Sequence, residues 1–426
     1  MAEHTPLTRS DIRTLLLAAL GGALEFYDFI IFVFFATTIG EVFFPAQTPD
    51  WLRQLQTYGL FAAGYLARPL GGILMAHFGD RSGRKRMFAF SVLLMAVPTL
   101  LIGVLPTYAS IHYAAPLALL ALRMVQGAAV GGEVPGAWTF VAEHVSARRV
   151  GLACSALTAG LTSGILLGSL IAAAVATHLD ADQVRAFGWR IPFLLGGVFG
   201  LLAVFLRRML AETPVFEEMR RRGELERGLP LRTVLAGHRP AVVVSMLLTW
   251  QLTAAIVVVI LMTPALIQQL FAITHAQALA ANSIATFTLT VGCVGFGMLG
   301  DRIGAARTLC VGSLALAITT YALYWGVQHA PEQLPMLYGI AGFCVGAVGV
   351  IPTLMVRAFP PRVRFSGISF AYNVAYAIFG GLTPLFVVPL TRWAPLAPAH
   401  YVAALCAIGI TAALIAGRGS PSVDES

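Results

Sequence analysis

Two acidic residues stand inside a long apolar run. Glu25 and Asp28 lie within residues 14–44, a stretch otherwise almost free of charge. The run exceeds the roughly 20 residues that a bilayer-spanning helix needs. Three apart on a helix, the two acids share a face. An ionised carboxylate at that depth is costly unless it is paired, wetted or protonated. A cation that could answer them appears at Arg123, followed by Gln126 three residues on and Glu133 seven beyond that. On one helix these three share a face, with Glu133 about 10 Å from Gln126. Arginine stays charged and can grip a carboxylate with two parallel bonds. Its anion is either internal (Glu25, Asp28 or Glu133) or a substrate carboxylate that enters when the internal acid takes a proton. Desolvation favours the protonated acid, and a nearby arginine opposes it. Competition of this kind would make proton and anion favour each other's binding.

Those residues need helices to hold them, and composition supplies helices. Of 426 residues, 58% are hydrophobic and only 11% charged. Soluble domains carry about 25% charge, so the expectation is an all-α integral membrane protein. Twelve apolar runs of spanning length follow one another along the chain. The expected division is a tail (1–13), a six-helix half (14–206), a linker (207–239), a second six-helix half (240–416) and a tail (417–426). Basic residues collect in alternate loops, including Arg84, Lys85 and Arg86, then Arg148 and Arg149, then the linker. By the positive-inside rule both termini are cytoplasmic. The first residues read as a short polar tail, not a cleavable signal. The net charge of +8 therefore needs no nucleic acid to explain it. The five cysteines fall in the spans without a C-x-x-C pair and read as packing residues.

The halves carry an internal repeat. Gly79-Asp80-Arg81-Ser82-Gly83 follows the second run, and Gly300-Asp301-Arg302-Ile303-Gly304 follows the eighth. Matching positions in each half argue for parallel repeats about an axis normal to the membrane. Asp80 can accept bonds from a neighbouring helix N-terminus or an arginine. With Arg81, Gly83, Arg84, Asp301 and Arg302 it is expected to form a cytoplasmic gate. The second half has no charge from 241 to 299, so titratable groups at depth must come from the first half. The second half can offer neutral groups, among them Gln251, Tyr372 and Asn373. Arg68 reads as a brace near the cytoplasmic end of the second helix.

The loop Gly79-Asp80-Arg81-Ser82-Gly83-Arg84-Lys85 resembles that of the major facilitator superfamily. Further stretches resemble its metabolite:proton symporter family, whose carriers take 2-oxoglutarate, citrate, shikimate or proline/betaine. They include Glu25-Phe26-Tyr27-Asp28-Phe29, Arg68-Pro69-Leu70-Gly71-Gly72, Gly131-Gly132-Glu133 and Glu212-Thr213-Pro214. The chain departs from the family at Gly22 and Phe26, beside the first acids, and the second loop copy lacks the final Gly-Arg pair. The resemblance implies a twelve-helix major facilitator fold in a bacterial-type inner membrane. It implies a monomeric carrier that needs no cofactor and is driven by the proton motive force. The expected activity is symport of a small organic acid or zwitterion bearing a carboxylate, with the lipid bilayer and protons as its other partners. The expected substrate and coupling residues are Glu25, Tyr27, Asp28, Arg123, Gln126, Glu133, Gln251, Tyr372 and Asn373. A proton-driven exporter on the same fold is the alternative. An enzyme is disfavoured, because the spans hold no H-E-x-x-H or comparable cluster.

Overall fold

Apolar runs separated by charged loops become long helices, because a backbone in lipid must satisfy its own hydrogen bonds. The computed structural model describes residues 9–418 apart from 83, 209–213, 223–229 and 272. The first half contains α1 (Arg9–Phe34), α2 (Asp50–Ser82), α3 (Arg84–Val104), α4 (Ala114–His144), α5 (Val150–His178) and α6 (Arg190–Arg208). The second contains α7 (Arg239–Phe271), α8 (His275–Ile303), α9 (Ala305–His329), α10 (Pro331–Ala358), α11 (Arg364–Thr391) and α12 (Ala397–Arg418).

Among the described residues, 10 helices are long and apolar enough to cross a membrane, or 11 when a pair bent by 41° at the start of α6 is taken as one span. The sequence led us to expect twelve. The difference falls on α3, whose described apolar part is only Phe90–Val104. Apolar side chains cover the outer surface; Leu66, Leu70 and Leu74 form an exposed stripe one turn apart along α2. Such a stripe suits lipid and would be a liability in water. The linker contributes two short helices, Pro214–Arg221 and Pro230–Gly237. The second of these packs on α11.

Within the first half, α2 and α4 approach most closely. Gly64 faces Gly127 across the seam, and Gly131 lies against the backbone of Arg68. A Cβ at Gly127 or Gly131 would overlap the opposite main chain. Small residues at such a seam let two backbones touch, which is how helices associate in lipid.

The halves meet along two seams, α5 with α8 and α2 with α11. They are latched where the linker joins the bundle. Arg364, opening α11, places Nη1 3.3 Å from Glu143 Oε1 at the end of α4. Arg357 Nη2 donates to the Ala147 carbonyl at 3.0 Å. Leu152 N, in the first turn of α5, donates to Asp301 Oδ2 at 3.1 Å. Ser155 Oγ donates to the Gly349 carbonyl at 2.8 Å. Further along α5, Ser169 and Ser283 hydroxyls pair at 2.9 Å. A cavity of about 90 Å³ separates the halves between α1, α2, α7 and α11; Phe32, Phe61, Val257 and Pro384 are among its lining residues.

The second-half helices are irregular in their middles. Widened turns occupy Ala254–Met262 in α7 and Tyr376–Gly380 in α11, and a tightened one occupies Gly346–Val350 in α10. Widened turns inside helices are common at functional sites, because they free backbone groups and re-aim side chains.

Candidate functional site

The site grows from Asp28. Its neighbours on α1 point in different directions: Phe29 faces Tyr65 on α2, and the Tyr27 hydroxyl donates to the Pro192 carbonyl at 2.8 Å. Asp28 lies between them, fully buried against Gly196 and Gly200 of α6, beside Thr99 of α3. Neither of its carboxylate oxygens has a hydrogen-bond partner. The reason is local. Thr99 Oγ1 gives its only proton to the Met95 carbonyl at 2.9 Å and accepts from Gln126 Nε2 at 2.7 Å. It has a lone pair left for Asp28 but no proton. A buried carboxylate without donors carries a cost that one bound proton removes.

The line continues to Arg123. Gln126 Oε1 accepts from Arg123 Nη1 at 2.9 Å, the i, i+3 contact that the spacing predicts. Arg123 Nη1 also reaches the Phe29 carbonyl at 3.3 Å. The guanidinium carbon lies 4.6 Å from the Phe29 ring centroid and 4.3 Å from that of Phe32. Its Nε and Nη2 are buried without partners. Asp28, Thr99, Gln126 and Arg123 thus run in sequence across α1, α3 and α4.

Arg68 stands apart from that line and differs from its expected place. Because α2 continues through Ser82, Arg68 is well inside the helix and 1% exposed, not snorkelling from an end. Its guanidinium carbon lies 4.3 Å from the Tyr376 ring centroid, 5.3 Å from Tyr372 and 5.4 Å from Tyr65. Tyr65 and Tyr376 are stacked, 3° from parallel with centroids 5.3 Å apart. Trp138 of α4 meets Tyr372 edge-on. A cation held by ring faces is stabilised without a counter-charge. Here too Nε and Nη2 have no partner.

The remaining candidates scatter. Glu133 accepts from Ser91 Oγ at 2.7 Å, facing α3 within its own half. Asn373 of α11 donates to the Gly131 carbonyl of α4, and Tyr372 joins the Arg68 cage. Gln251 faces away from the other half, donating to Ser313 of α9 and packing against Gly409 of α12. The widened turn that begins at Ala254 breaks the regular rotation on which a face assignment along α7 depends. Asp301 meets α5 at its N-terminal turn, and the Arg302 side chain is exposed. The Glu25 side chain and those of Asp80, Arg81 and Arg84, together with Gly83, lie outside the described residues.

Sequence reasoning missed Thr99, Tyr65 and Trp138, and it undervalued Arg68. A lone threonine in an apolar helix looks like any hydroxyl bonded back to its own turn. Arg68 was legible, because a charge deep in a span is functional by default.

Residues 18–384 match the family described as Major Facilitator Superfamily. The chain is 31% identical over 411 residues to the glycine betaine/proline/ectoine/pipecolic acid transporter OusA of Dickeya dadantii, covering 93% of this chain and 81% of that one. It is 29% identical over 431 residues to the proline/betaine transporter of Salmonella typhimurium, covering 95% and 85%. Its fold is similar to that of the proton:xylose symporter XylE bound to 6-bromo-6-deoxy-D-glucose, with a TM-score of 0.79, 20% identity and 96% of each chain covered.

Proposed function

The chain belongs to the major facilitator superfamily, in its metabolite:proton symporter branch, and we propose that it takes up a small carboxylate-bearing metabolite together with protons. It is a transporter, not an enzyme. The observation that carries the coupling is the line from Asp28 through Thr99 and Gln126 to Arg123. A proton on Asp28 turns an acceptor into a donor aimed at Thr99. Gln126 links that hydroxyl to the cation. The protonation state of Asp28 is thereby felt at Arg123, a buried cation of the same half, so proton and substrate can favour each other's binding.

The substrate is an organic acid or a zwitterion. Relatives that carry proline and glycine betaine, each bearing one carboxylate, support this class. The basic loops at the linker end support placing that end in the cytoplasm, in a reading of twelve spans as two six-helix halves. In this arrangement the latch closes the cytoplasmic side, while the cavity lies between the halves beyond it. Rocking of the halves about the buried site would expose it to each side in turn. The membrane is a bacterial-type inner membrane.

Proteoliposome uptake of L-proline and glycine betaine tests the reading. An inward proton gradient should drive accumulation at least tenfold above equilibration, and a protonophore should collapse it. Efflux driven by that same gradient would identify an exporter instead.

A further inference from the structure

Two buried arginines present open edges, and their surroundings differ in one respect that decides their roles. Both Arg68 and Arg123 leave Nε and Nη2 unpartnered. Those two nitrogens form the side of the guanidinium that takes a carboxylate in two parallel bonds. Every contact just given for Arg123 comes from the first half: Phe29 and Phe32 on α1, and Gln126 on its own helix. Arg68 is held by both halves, with Tyr65 on α2 and with Tyr372 and Tyr376 on α11.

A ligand shifts a conformational equilibrium only through interactions that differ between the states. An anion on Arg123 would be felt first within one rigid half. An anion on Arg68 would alter a cation–ring cluster that spans the moving seam. The cluster is also within reach of the inter-half cavity. Phe61, which lines that cavity, packs edge-on against Tyr65 with centroids 4.6 Å apart. Tyr376 begins the widened turn of α11, where a helix can yield locally.

We propose that Arg68 is the anion-binding residue of the substrate site, taking the substrate's carboxylate on Nε and Nη2, while Arg123 remains in the proton-coupling line. The proposal rests on the transport reading only in naming this anion the substrate. The tyrosine cage already holds one cation, so it selects the anionic end of the substrate and offers its positive end nothing. Arg68 is therefore a specificity-determining residue, and a conservative lysine should not replace it, because an ammonium lacks the parallel fork.

Thermal unfolding of the full chain in lipid nanodiscs tests this without any transport step. The probes are acetate and L-proline, their neutral counterparts acetamide and L-prolinamide, and chloride at matched ionic strength. A ligand that binds the folded state raises the unfolding temperature by mass action. The wild-type chain should be stabilised saturably by both carboxylates and not by the amides. Arg68→Lys should weaken carboxylate binding about tenfold or more, as the loss of one good bond would. Arg68→Gln serves as a second variant, and the wild-type comparison of acid with amide stands whether or not either variant folds. The proposal is overturned if Arg68→Lys binds carboxylates as the wild type does, if the amides protect equally, or if neither carboxylate protects the wild type. Carboxylate binding that follows Arg68 without any proton-driven uptake would remove the transport reading and leave the anion site in place.

Discussion

Thr99 is the residue on which communication between proton and cation depends. Its hydroxyl spends its proton on the Met95 carbonyl and accepts from Gln126. What remains is a lone pair on the hydroxyl of a side chain beside a buried carboxylate. Asp28 can use that lone pair only when it carries a proton. Thr99→Val keeps the shape and removes the hydroxyl. We expect it to lower proton-driven accumulation at least tenfold while substrate exchange persists, with Thr99→Ser restoring accumulation. Parallel losses of exchange and accumulation would mean that Thr99 only packs. Of this line, Asp28, Arg123 and Gln126 were legible in the sequence, because charge in an apolar run and an i, i+3 spacing survive without coordinates. Thr99 was not, because nothing in a sequence distinguishes a hydroxyl that faces a carboxylate from one that bonds its own helix.

At the scale of elements, the α2–α4 seam fixes where both arginines can stand. Gly64 and Gly127 meet backbone to backbone, and Gly64 also leaves room for Arg123 Nη2. Arg68 lies one turn beyond Gly64 on α2, its carbonyl against Gly131. The seam therefore sets the spacing between the coupling line and the tyrosine cage. Gly127→Val would force the helices apart. Overpacking of this kind costs about 1–3 kcal/mol, to be read as a lowered midpoint in denaturant unfolding in mixed micelles. Because the displaced helix carries Arg123, exchange should fall as well. A variant as stable and active as the wild type would show that the seam tolerates separation. The succession of long apolar helices was readable from hydropathy. Helix rotation in the second half was not. Gln251 precedes a widened turn and faces α9 and α12, whereas Tyr372 and Asn373 on α11 do reach the other half.

At the scale of the whole molecule, a polar latch and a cavity divide the interface between the halves. The latch joins Arg364 to Glu143, Arg357 to the Ala147 carbonyl and Asp301 to the start of α5. Each contact crosses from one half to the other, so opening that side must break them together. The tyrosine cage sits on the same interface, where an anion can bias one closure over another. The coupling line lies wholly inside the first half, where a proton can be held while the halves rock. This separation of duties is the core of the account, and one comparison tests it most directly. Wild type and Asp28→Asn are reconstituted side by side, and L-proline and glycine betaine are followed both in exchange and in accumulation under an inward proton gradient. Asp28→Asn should exchange at a rate comparable to wild type yet accumulate nothing above equilibration. Accumulation by Asp28→Asn equal to wild type would contradict it.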